Sequence, residues 1–160
     1  MKLPALALLL AICVGMPRAA LGRPEDQPVG ATAEKFKLFE KAIAHCIVEA
    51  RTSYPQAKLR FLKGLPPGNH FSVTTRLVDP DGKIEQVFIS VIGINPSTNV
   101  VTGRIANQIQ FVRTFRTGQT ISFPESRVLD WTIVSPDGAE EGNYIGKFID
   151  AYRMNHGDFP

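Results

Sequence analysis

One change of hydrophobic period, at Pro55, constrains this chain more than any other feature. Before it, Phe36, Phe39, Ile43, Cys46, Ile47, Ala50 and Tyr54 recur at three- and four-residue spacing, which puts them on one stripe of a helix. The spacing predicts an amphipathic helix from about Ala33 to Ser53, with Thr32 as its cap and Glu34 in its first turn. Pro55 is expected to end it, because proline lacks the N–H a helix interior needs and its ring collides with the preceding turn.

After Pro55 the period becomes 2. Ala57, Leu59 and Phe61 alternate with Lys58 and Arg60, and Leu65-Pro66-Pro67-Gly68 interrupts. Phe71, Val73, Thr75 and Leu77 then alternate with polar residues, as half-buried strands do. Asp79-Pro80-Asp81-Gly82 has the chemistry of a tight turn, with proline at its second position and glycine free to take positive φ. It leads into Ile84 to Ile94, which is apolar on both faces and reads as a central strand with the helix over one face. Further strands are expected at Val100–Ala106, Thr120–Phe123, Leu129–Val134 and Asn143–Ile149, separated by Asn95-Pro96-Ser97, Thr117-Gly118 and Ser135-Pro136-Asp137-Gly138. The two Pro-Asp-Gly turns resemble one another, but their flanks do not match, so shared turn chemistry explains them better than duplication. One N-terminal amphipathic helix packed on a mostly antiparallel, curved sheet of six or seven strands is an α+β domain. Strand and helix do not alternate, which argues against a parallel doubly wound sheet.

Met1 to Gly22 reads as a secretory signal: Lys2 is the positive start, Leu3 to Val14 the apolar run, and Ala20-Leu21-Gly22 the small residues of a cleavage site. The run is shorter than the roughly 20 apolar residues that span a bilayer, so no transmembrane segment is expected in the mature chain. The expected division is signal at 1–22, a disordered leader at 23–32, one domain at 33–152 and a flexible tail at 153–160. About 138 residues remain after cleavage, enough for one core. The location this implies is periplasmic or secreted.

Cleavage also changes the charge and cysteine arithmetic. The whole chain has 18 basic and 15 acidic residues. Lys2 and Arg18 lie in the signal, so the mature balance is about +1, and with export it argues against nucleic-acid binding. Cys13 is lost as well, leaving Cys46 with no cysteine to pair with.

Leu59 to Phe148 carries an ordered set of short motifs: Glu85-Gln86-Val87-Phe88-Ile89, Thr102-Gly103-Arg104-Ile105-Ala106-Asn107, Gly118-Gln119-Thr120-Ile121-Ser122-Phe123, Asp130-Trp131 and Gly142-Asn143-Tyr144-Ile145-Gly146. In order and spacing they resemble the YegJ-like family of bacterial proteins of unknown function. The resemblance implies a small α+β domain, sometimes exported, and no agreed activity. Members compared with it often have histidine and tryptophan where this chain has Gln86 and Phe88, so a mechanism needing imidazole there could not run here.

No catalytic constellation stands out. Cys46 lies on the apolar stripe and its neighbour His45 points about 100° away on a helix, so a buried structural cysteine is expected. His45, His70 and His156 are too dispersed for a zinc-like set, and no acidic loop has calcium-site form; no metal and no cofactor is expected. Phe111-Val112-Arg113-Thr114-Phe115-Arg116 interleaves aromatic and basic residues as a single-strand binder would, but a loop or edge strand with solvated arginines suits an exported domain better.

The most informative pair is Asp130-Trp131. Trp131, the only tryptophan, is expected to anchor the core while Asp130 bonds backbone amides. The sharper alternative places Asp130 and Trp131 with Arg104, Asn107, Asn143 and Tyr144 around a polar groove that binds a small ligand or envelope polymer, or acts on one. The leading functional expectation is an exported noncatalytic domain that binds a protein or cell-envelope component through one sheet face. A toxin-immunity-like inhibitor is a weaker analogy.

Overall fold

The computed structural model describes residues 33–156, so the expected signal, the leader and the last residues of the expected tail lie outside the described residues. The elements are α1 (Ala33–Lys63), β1 (His70–Val78), β2 (Ile84–Asn95), β3 (Val100–Ile105), β4 (Thr120–Pro124), β5 (Asp130–Val134), β6 (Glu140–Gly142) and α2 (Tyr144–His156). The strands form one antiparallel sheet in the order β4-β3-β2-β1-β5-β6. The α+β class expected from the sequence is therefore the class formed.

Alternation builds the main core. Phe71, Val73, Thr75 and Leu77 of β1 are buried together, and register sets Val73 against Ile89 on one side and Trp131 on the other. The second half of α1 lays Ala50, Tyr54 and Ala57 on this face, with the Tyr54 and Phe61 rings 6.5 and 5.1 Å from that of Phe71. Each buried Val, Leu, Ile or Phe side chain of this core contributes about 1.5–3 kcal/mol on leaving water. A second cluster joins Phe39, Ile43 and Cys46 of the first half of α1 to Leu129 and to Ile145 of α2.

The structure corrects four expectations. Helix α1 does not stop at Pro55 but continues through it to Lys63. An internal proline forfeits one backbone bond, yet Tyr54, Ala57 and Phe61 on either side of it are held against the sheet, and that packing carries the helix past the break. Ala57–Phe61 is accordingly helical. A strand would place Ala57, Leu59 and Phe61 on one face, whereas Ala57 is buried and Leu59 is 47% exposed, as i, i+2 positions on a helix are.

Asn143–Ile149, expected as a strand, instead opens α2, and Ile145, Phe148 and Ile149 meet α1 at helical spacing. Helix α2 also continues to His156, into the expected tail. The sixth strand is Glu140–Gly142, which lies outside every strand expected from the sequence. As expected, β2 is an interior strand, third of six, covered on one face: Val87 and Ile89 are fully buried while Ser90 is exposed and Ile92 is 55% exposed.

Candidate functional site

Four of the six expected site residues meet where β5, β6 and α2 join. Gly142 and Asn143 take positive φ, 74° and 52°, and turn the chain out of β6. At Gly142 this conformation and the space both demand glycine, since a Cβ would collide with the Trp131 carbonyl and ring. The Asn143 carbonyl accepts the first α2 bond from Lys147 N–H (2.9 Å), and its amide donates to Glu140 (2.7 Å).

Asp130 answers the free N–H groups that every helix start presents. Its carboxylate accepts from Ile145 N–H (2.7 Å), from its own neighbour Trp131 N–H (2.7 Å) and from the Tyr144 backbone. The residue is 1% exposed. Burial pushes its pKa up to about 6, against the opposing pull of those amides and of Lys147. This carboxylate is a helix cap reached from another strand, and it is not presented to a groove.

Trp131 is the core anchor that the sequence suggested. It is 6% exposed, and its Nε1–H donates to Ala50 O (3.2 Å) and Ser53 Oγ (3.0 Å) on α1. Tyr144 Oη donates to the same Ser53 Oγ (3.0 Å), with its ring edge-on to the indole at 6.3 Å. The three side chains therefore tie β5, α1 and α2 together through one hydroxyl. Ser53 carried no signal in the sequence, because its partners come from 78 and 91 residues away.

Arg104 and Asn107 do not join this group. Arg104 sits exposed on β3, separated from β5 by β2 and β1. Asn107 closes the end of β3: its Oδ1 accepts Phe88 N–H (2.8 Å) and its carbonyl accepts Thr117 Oγ1–H (3.0 Å). Sequence reasoning also missed Glu85. That side chain is 1% exposed, and its carboxylate accepts the backbone N–H groups of Gln110, Phe111 and Val112 at 2.8–3.2 Å. It thereby holds the loop between β3 and β4, in which Val112 is fully buried while Arg113 and Arg116 are exposed.

Cys46 is 4% exposed in the α1–α2 cluster, and burial raises its thiol pKa, with the Asp130 and Glu49 charges adding to the shift. The expected separation from His45 is not observed. The imidazole Nε2 lies 3.3 Å from Sγ, because the exposed ring folds back beside its neighbour and against Phe148. A raised thiol pKa is the opposite of what an activated nucleophile requires. Among the described residues no three His, Cys, Asp or Glu side chains converge as metal ligands, and no helix is long and apolar enough to cross a membrane.

The model of the DUF2314 family, described as an uncharacterized protein conserved in bacteria, matches residues 34–155. The chain belongs to this family. The match runs from α1 to the last turns of α2 and so takes in all six strands. No curated protein and no solved structure matches the chain.

Proposed function

We propose that this DUF2314 protein is an exported, noncatalytic domain that binds a protein or cell-envelope component through the uncovered face of its sheet. The supporting observation is a row in register across three strands, Ser90 opposite Arg104 and Arg104 opposite Thr120. All three are exposed, and Arg104 has no acidic partner among the described residues. Beside the row, Thr102 and Ser122 hydroxyls bond at 2.8 Å and Ile92 is exposed. An exposed polar surface that combines the Arg104 guanidinium with the exposed aliphatic side chain of Ile92 is suited to recognition.

Export rests on Met1 to Gly22, and the YegJ-like grouping on the ordered motifs from Glu85 to Gly146. A ligand groove at Asp130 has less support, because that carboxylate is already committed to backbone amides. Photo-crosslinkers placed singly at Ser90 and Ile92 test the reading. A saturable adduct at native expression, lost on Arg104→Glu, is expected; repeated absence of any adduct would overturn it.

A further inference from the structure

A groove of about 390 Å³ is lined by Thr75 to Val78 of β1, Ile121 to Phe123 of β4, Phe115 and Arg127. Two of its walls are runs of consecutive strand residues. Successive side chains point to opposite faces of a sheet, so consecutive residues line a groove only where it follows the strand's edge.

Neither edge has a strand partner there. β4 is the first strand of the sheet and has one neighbour. β1 pairs with β5 only as far as Thr74 opposite Asp130, after which that side of β1 has no strand. The Thr74 carbonyl accepts Leu129 N–H, and the Arg76 carbonyl accepts the Arg127 guanidinium (2.6 Å). Even-numbered β1 residues therefore direct their backbone groups to this side, and Val78 N–H and C=O follow by alternation. None of the nine lining residues is acidic. Arg76 is paired with Glu40 (2.7 Å), whereas Arg127 has no carboxylate partner among the described residues. Leu77 and Phe123 are buried beneath, with Phe115 and Ile121 half-buried beside them.

We propose that this groove takes an extended acidic peptide of a partner protein, which adds as a strand along the free edge of β1. Backbone bonds to the Arg76 N–H and to Val78 N–H and C=O hold it while the Arg76 carbonyl keeps its bond from Arg127, alternate apolar side chains turn to Phe115 and Ile121, and alternate carboxylates meet Arg127. The mode deepens the proposed function and rests on the chain being a binding domain.

The test titrates the purified protein with acetyl-Glu-Val-Glu-Val-Glu-Val-amide, followed by backbone amide NMR. Saturable shifts confined to 76–78 and 121–123, with slowed exchange at Val78, are expected. The analogue with lysine for glutamate, and one methylated on alternate peptide nitrogens, should each bind at least about tenfold more weakly. So should Val78→Pro, which removes an edge N–H that β2 does not use, and Arg127→Gln. Equal binding of the methylated or lysine peptide would overturn strand addition, as would no shift at millimolar peptide. Val78 protected in the free protein, and released by removing residues 23–32 or by dilution, would instead assign the groove to the chain's own leader or to a second copy. If the peptide fails while Ser90 or Ile92 still crosslinks a partner, only the docking mode falls.

Discussion

Asp130 holds its proton about two pH units above where an unfolded chain releases it, 3.8 against about 6. Between those values the folded protein binds more protons than the unfolded one, so this residue makes stability fall as pH rises from about 4 to 6 and adds no slope above. The full span is on the order of 2–3 kcal/mol at 1.36 kcal/mol per unit. Urea unfolding from pH 4 to 7 should show this contribution as a difference from Asp130→Asn, whose neutral amide does not titrate. Asp130→Ala should lose on the order of 2 kcal/mol at pH 7, because it leaves buried α2 amides without acceptors; a loss below about 0.5 kcal/mol would show that water replaces the cap. Trp131→Ala should cost roughly 3–5 kcal/mol in the same assay.

Among the elements, the loop between β3 and β4 has its hold at Glu85. Glu85→Gln keeps one acceptor but turns an NH2 toward three backbone donors, so a loss on the order of 2 kcal/mol is expected. Amide exchange at Gln110 to Val112 should accelerate before the sheet is affected. Pro55 offers the opposite case. It is exposed inside α1, and Pro55→Ala should raise thermal stability by restoring a helix bond, measurable as a higher Tm. The elements differ in how far the sequence disclosed them. β1 to β5 were legible because alternation and turn chemistry are local properties. The second half of α1 was hidden because Ala57 and Phe61 fit helical spacing but Leu59 between them completes a period of 2, and proline tipped the reading toward a break that tertiary packing overrides. α2 was hidden because its N-terminal carboxylate comes from β5 rather than from the preceding residues. Asp130 as an acceptor of backbone amides and Trp131 as a core anchor were legible from sequence, whereas the contacts of Asn143 and Tyr144 were not. Only the fold shows that the amides are those at the start of α2 and that Ser53 links the two aromatic rings.

At the scale of the whole molecule, α1 spans two cores, one against the sheet and one against α2. The cap on α2 is built from β5, and β5 joins the rest of the sheet by pairing with β1. A 13-residue helix is marginal in water without such support. The order of assembly follows: α2 can settle only after β1 and β5 have found each other, so its contacts belong late on the folding route. Truncating Ile149 to valine should therefore leave the refolding rate nearly unchanged and speed unfolding, a φ-value near zero, while Val73→Ala in β1 should slow refolding. The last helix to dock would also be the first to leave, exposing Cys46 of the α1–α2 cluster to thiol reagents well before the sheet opens.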